Sequence, residues 1–246
     1  MKSHNFIIAL ILGLCSCSSE NSNVLDDINE ESSSQEITTQ RDIAGTWCYY
    51  SGTLNSFLSL ANKDIYDINL ELTPEGNIKE TVINKSRDEE IKEASAYGNW
   101  IASNNLLTIL NWDGDTVATN IPYSFQKDVS LTLDINGSKM VFMTPEQIKS
   151  KYGDLIVGEW DNGRKDSGRT RTVFYMNGEG FSLSEYYDNK FFGRDDFKWS
   201  IKSDTLIIHH TWIAGPTGIN TNIIKFLNKK HLSWTRGKGS VCYTRE

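Results

Sequence analysis

The residues able to do chemistry are few and scattered along the 246-residue chain. The histidines are His4, His209, His210 and His231. His209 and His210 are neighbours in a stretch that alternates like a strand, so they point to opposite faces and cannot chelate one metal together. No Cys, His and carboxylate cluster has metal-ligand spacing, so neither a metal nor another cofactor is expected. Asp195, Asp196 and Glu185 would supply the two carboxylates that a glycosidase places across a cleft. Asp195 and Asp196 read better as turn acids on a hairpin. Asp113-Gly114-Asp115 lacks the length and closing glutamate of a calcium loop. No nucleophile elbow, phosphate-binding loop or dinucleotide fingerprint is present. No catalytic residue can be named, and the expectation is a protein that is not an enzyme.

Two features suit binding instead. Trp112, in "NWDGD", and Trp212, in "HTWIAGPTG", lie 100 positions apart in equivalent loops. A loop tryptophan can stack on a sugar or an apolar ligand, or fold back over its own rim as packing. The stretch "NGRKDSGRTR" (162–171) carries Arg164, Lys165, Arg169 and Arg171. It could meet an anionic ligand or lipid headgroups; a solvated hairpin tip is the other reading.

The elements that must position these residues occur twice. "DIAGTW" at 42–47 is answered by "LIVGEW" at 155–160, "LELTPEGNI" by "TVFYMNGEGF", and "YGNWIASNNLLTI" by "DFKWSIKSDTLII". "TNIPYSFQKDVSLTL" is answered by "TNIIKFLNKKHLSW". A nearly constant offset across four landmarks means two copies of one plan. Within each copy apolar residues alternate with polar ones, as at Ile68, Leu70 and Leu72 or at Phe197, Trp199 and Ile201, which marks half-buried strands. Asn-Gly, Asp-Gly and Pro-Glu-Gly punctuate them like hairpins. About eight short strands per copy, joined in order by tight turns, form an antiparallel meander, and a meander escapes exposed edges by closing into a barrel. The fold class is therefore all-β, with two tandem meander barrels.

Gly45-x-Trp47 and Gly158-x-Trp160 on the first strands resemble the start of lipocalins and other calycins. The closing Tyr243-x-Arg245 resembles the final strand of lipocalin-like domains, and the segments around Trp100 and Trp199 look like those of Gram-negative lipoproteins. The resemblance implies that Trp47 and Trp160 plug the closed ends of eight-stranded barrels and that Arg245 packs over Trp160. The first copy ends in "MVFMTPE" without that arginine, so the residues just before Trp47 are expected to cover it. The inward positions are large (Trp, Phe, Tyr, Leu, Ile), which favours filled barrels.

The domains read as a leader at 1–16, a tether at 17–42, a first barrel at 43–144, a linker at 145–154 and a second barrel at 155–246. Thr144-Pro145-Glu146-Gln147 is a helix start, predicting a helix over 145–152 ended by Gly153. Leu54, Phe57, Leu58 and Ala61 predict a short lid helix over 53–64. Ser86 and Glu89 predict a capped surface helix over 86–94.

The leader has Lys2 and the short apolar run Phe6 to Leu14, too short to span a bilayer and suited to export. The following Leu14-Cys15-Ser16-Cys17 resembles the lipobox of bacterial lipoproteins. Cys17 is the expected lipidation site, since Cys15 would follow the bulky Leu14. The resemblance implies a bacterial cell-envelope protein anchored by lipid to the outer membrane, on its periplasmic or its outer side. The tether carries seven acids against Arg41, a net −6, and with +1 from Lys2 this leaves −2 of the chain's −7 for residues 43–246. Such a polar, charged stretch reads as disordered, and a nearly neutral folded part argues against nucleic acid. Cys48 and Cys242, which follow and precede inward positions of different copies, are expected to stay unpaired. The leading expectation is a membrane-anchored, non-catalytic module for a small apolar molecule or glycan. The alternative is a structural envelope lipoprotein that docks protein partners through its barrel loops.

Overall fold

The computed structural model describes residues 42–58, 64–85, 91–163, 168–185, 191–211, 218–236 and 239–245. Its first eight strands are β1 (Gly45–Gly52), β2 (Ile65–Leu72), β3 (Asn77–Lys85), β4 (Ile91–Ser103), β5 (Leu106–Asn111), β6 (Thr116–Gln126), β7 (Ser130–Ile135) and β8 (Ser138–Met143). Each pairs with the next, and β1 closes on β8 through pairs such as Cys48 with Met143. The second eight repeat this order. They are β9 (Gly158–Asp161), β10 (Arg169–Phe174), β11 (Glu179–Glu185), β12 (Phe191–Lys202), β13 (Thr205–His210), β14 (Ile219–Leu227), β15 (His231–Arg236) and β16 (Gly239–Thr244). Here β9 pairs with both β10 and β16, closing the ring.

Closure leaves neither barrel with a free edge strand, although β9 meets β16 only through the Asp161–Thr244 pair, and period-two alternation decides what fills the lumen. Along β2, Ile68, Leu70 and Leu72 are buried while Glu71 is exposed. The tight turns use residues that tolerate left-handed backbone: Asn104 and Asn105 have φ of 52° and 58°, and Asn136-Gly137 has 54° and 81°. Two consecutive positive φ values are what a two-residue hairpin connection of matching twist requires.

Between the barrels, Thr144 caps α1 (Pro145–Ser150), its hydroxyl accepting from the Gln147 amide. The helix does not run on to a stop at Gly153. It breaks at Lys151, and α2 (Tyr152–Ile156) contains Gly153. Tyr152, Leu155 and Ile156 on that turn are buried in the second core, so packing overrides the glycine's low helical propensity.

Two other expected helices differ as well. Residues 53–58 form no helix among the described residues; the segment is irregular and bends at 57–58, where the Phe57 and Leu58 amides donate to the Glu80 carboxylate inside the barrel. Ile91 to Ala94, expected to finish a surface helix, belong to β4, where pairing with β3 satisfies their backbone. The remainder of both stretches, 59–63 and 86–90, lies outside the described residues.

The barrels touch through a small polar seam. Asn228, fully buried in the turn between β14 and β15, donates to the Tyr66 carbonyl at 3.0 Å and to Asp67 Oδ1 at 3.3 Å. The Lys229 amide donates to the Tyr50 carbonyl, and the rings of Tyr66 and His231 lie 4.6 Å apart. Cys48, Tyr50 and Met143 of the first barrel pack on the second core. Neither Cys48 nor Cys242 forms a disulfide among the described residues. Burial, aided by Asp67, pushes the Cys48 thiol up to about 12.

Candidate functional site

The two barrels carry the same frame with different linings. In the first, cross-strand pairing runs Trp47, Leu70, Glu80, Ala96. In the second it runs Trp160, Thr172, Ser182, Asp195. The tryptophan is kept, while Leu70 and Ala96 of the first barrel give way to Thr172 and Asp195 in the second, and Glu80 to Ser182.

The consequence is a cavity of about 410 Å3 in the second barrel. Its floor is apolar: Trp234 stacks on Tyr243 with ring centres 4.6 Å apart, and Ile208 lies beside them. Its wall is polar, with Thr170, Thr172, Ser182, Ser184, Asn220 and Asn222. Across it runs a row of three planar groups. Asp195 Oδ2 lies 2.5 Å from His210 Nδ1, and His210 Nε2 lies 2.6 Å from Asn220 Nδ2. With Asn220 donating to Nε2, the imidazole proton sits on Nδ1 and points at the carboxylate. Asp195 and His210 are diagonal neighbours, because Phe197 is the residue paired with His210.

Thr172 and Ser182 are hydrogen-bonded to each other at 3.0 Å. Asn222, only 9% exposed, makes no side-chain hydrogen bond among the described residues. Its amide faces the cavity, where solvent can reach it. Two sequence expectations are corrected here. Asp195 and Asp196 are not turn acids but mid-strand residues of β12, with Asp195 facing inward and Asp196 paired outside with Arg194 at 2.7 Å. The second barrel is not filled by large side chains, because its inward threonines, serines and asparagines are too small to meet in the middle.

The first barrel is closed by its own chain. Glu80 is fully buried inside it. Its carboxylate accepts from Ser56 Oγ at 2.9 Å, the Phe57 amide at 2.9 Å and the Leu58 amide at 2.8 Å. Burial raises its pKa, and these three bonds pull it back. Phe57 is thereby held against the core as a stopper. Beside it, Asn55 to Phe57, β6 and the β7–β8 turn line a groove of about 650 Å3.

The closed ends differ in one residue. Trp47 Nε1 donates to the Ile43 carbonyl at 3.0 Å, and Trp160 Nε1 to the Ile156 carbonyl at 2.7 Å. Over Trp160 lies Arg245, its guanidinium 4.4 Å from the ring centre, donating to the Val157 carbonyl at 2.9 Å and the Lys229 carbonyl at 2.6 Å. Trp47 has instead buried Ile43 before it and Phe125 edge-on at 5.8 Å.

Closed meander rings of eight strands, each begun by Gly-x-Trp at the shut end, define the architecture. These are two tandem, closed eight-stranded meander barrels, the architecture that the lipocalin resemblance implies. No family model matches the chain, and no curated protein does. A lipocalin-like protein from Bacteroides uniformis, known from its crystal structure, matches with a TM-score of 0.31 and 14% identity, over 37% of this chain and 98% of its own length.

The remaining sequence candidates fall outside the cavity. Trp112 is 78% exposed in the β5–β6 turn, so it does not fold back on the rim. Trp212, Arg164, Lys165 and Cys17 lie outside the described residues. Arg169 pairs with Asp161, and Arg171 with Glu159 and Glu185, so those cations are neutralised within the barrel wall. The wall of the second cavity was missed, although a signal existed. Laying the repeats over each other puts Thr170, Thr172 and Ser184 where the first copy has Ile68, Leu70 and Val82, the inward parity of each strand.

Proposed function

We propose that this chain is a membrane-anchored, non-catalytic binding protein whose second barrel holds a small molecule, the first serving as its scaffold. The observation that carries the reading is the open, polar-walled cavity of about 410 Å3 beside a first barrel plugged by its own Phe57. That volume lies within the roughly 300–1,000 Å3 of small-molecule sites, which combine apolar surface with a few placed polar groups. An enzymatic reading is less well supported. Asp195 and His210 resemble the orienting half of a catalytic triad, but His210 Nε2 meets the Asn220 amide instead of a nucleophilic hydroxyl. The anchor rests on Cys17 and its preceding residues, and the envelope location follows from it.

Thr172→Leu, which places the first barrel's side chain in the second cavity, tests this reading. Native mass spectrometry of the protein extracted from its own membranes should show a small-molecule adduct on the wild type and none on the variant. A wild type free of any adduct, and unresponsive to added small molecules, counts against it.

A second reading, a scaffold that docks envelope proteins through its loops, is favoured by the exposure of Trp112. A photo-crosslinker at that position in intact cells should then yield a defined protein adduct, and its absence would remove this alternative.

A further inference from the structure

The chemistry of the cavity wall narrows the guest, given the reading of that cavity as a binding site. The wall presents donors and acceptors side by side. Asp195 accepts, the Asn220 and Asn222 amides do both, and the hydroxyls of Thr170 and Ser184 do both. Asn222 is nearly buried and has no side-chain partner among the described residues; the hydroxyls of the half-buried Thr170 and Ser184 have none either.

Common ligand classes answer this wall unequally. A fatty acid would bring an anion toward Asp195, and Arg194, which also lines the cavity, already has its guanidinium engaged by Asp196 and the face of Phe181. A wholly apolar guest would leave Asn222 and the hydroxyls unsatisfied, each a desolvation penalty with no return. An ammonium only donates, and a carboxylate only accepts. A ligand with several hydroxyls on one rigid ring does both at once, and vicinal hydroxyls match the paired atoms of a carboxylate or carboxamide. The floor completes the match, because the Trp234 and Tyr243 stack offers an apolar surface to the C–H side of such a ring.

We propose that the second barrel takes a neutral, ring-form polyol, a mono- or disaccharide, with its hydroxyls on the Asp195, His210, Asn220 and Asn222 wall and its carbon skeleton on Trp234 and Tyr243. The row through His210 fixes the carboxylate before the ligand arrives, so little ordering is left to the binding step.

The test uses the purified full chain titrated with glucose, galactose, N-acetylglucosamine and maltose, with palmitate and dodecylamine as contrasts. Tryptophan fluorescence and the melting temperature report binding. At least one sugar should bind, and Asp195→Asn should weaken it roughly tenfold or more, as expected for the loss of a charged hydrogen-bond acceptor. Asn222→Ala is the second variant in case Asp195→Asn fails to fold, with loss in the same direction. Thr172→Leu should abolish binding. Sugar bound equally well by both polar variants overturns the inference. So does binding of palmitate or dodecylamine, and of no sugar, in a manner lost in Thr172→Leu; that result leaves the cavity a binding site and changes only its guest. No response to any probe overturns the inference and counts against the binding function as well.

Discussion

Single residues at the shut end of the second barrel carry stability out of proportion to their number. Trp160 is fully buried, hydrogen-bonded to the Ile156 carbonyl and covered by Arg245. Removing such a side chain costs about 3–5 kcal/mol, against total stabilities of about 5–15 kcal/mol. Trp160→Ala should therefore lower the melting temperature sharply, while Arg245→Ala should cost less. Arg245 contributes a cation–π contact of about 0.5–2 kcal/mol, together with two bonds to backbone carbonyls. Calorimetry of both variants checks the order, and wild-type melting in Trp160→Ala would show that this tryptophan is not a structural plug. Asp67 allows a sharper test through pH. Burial pushes its carboxyl from 3.8 to about 7, so between those values the folded state holds a proton that the unfolded chain has lost, and stability falls as pH rises. His231 does the reverse: burial pulls it from 6.5 to about 4, so stability falls as pH drops through that window. The two slopes oppose each other from about pH 4 to 6.5. Asp67→Asn removes one of them, and its melting temperature should climb with pH over that window more steeply than the wild type's, then level off. An unchanged profile would mean that Asp67 is not buried as described.

At the scale of elements, the stopper of the first barrel depends on one carboxylate. Glu80 holds Ser56, Phe57 and Leu58 by three bonds, and charged hydrogen bonds are worth about 1.5–3 kcal/mol each. Glu80→Ala should release the segment, so limited proteolysis should cut within residues 53–64 much faster than in the wild type, with the barrel itself intact. Equal cleavage rates would show that the stopper is held by Phe57 packing alone. This element also marks where sequence reading ended. Strand alternation, Asn-Gly turns and the repeat itself made two all-β meanders legible, because each is a local pattern with a fixed period. The 53–58 segment has helical spacing at Leu54, Phe57 and Leu58, yet a partner on another strand, distant in sequence, decides its conformation. The cavity wall was illegible for a related reason. His210, Asp195 and Asn220 sit on three different strands, and only strand register brings them into one row. A short polar side chain on the inward parity reads as unremarkable until its equivalents in the other copy are seen to be Ile68 and Leu70.

For the whole molecule, the seam through Asn228 couples two barrels that each have a core of their own. Asn228→Ala leaves the Asp67 carboxylate without that donor and should split a single thermal transition into two. One unaltered transition would mean that Cys48, Tyr50 and Met143, packing on the second core, suffice to join the units. Palmitate labelling tests the anchor at the same scale: label should enter the wild type and be lost in Cys17→Ser, and a mutant that still labels would refute that site. The plugged first barrel has a further consequence, for evolvability. Buried hydroxyls, amides and a carboxylate reduce the stability of any lumen that holds them, and proteins tolerate such groups only above a threshold of foldedness. A neighbour with a self-sealed, mostly apolar interior, whose buried Glu80 is satisfied by three hydrogen bonds, supplies that margin through a shared seam. The second lumen is then free to drift, exchanging one small polar side chain for another and sampling new guests, while its duplicate keeps the pair folded.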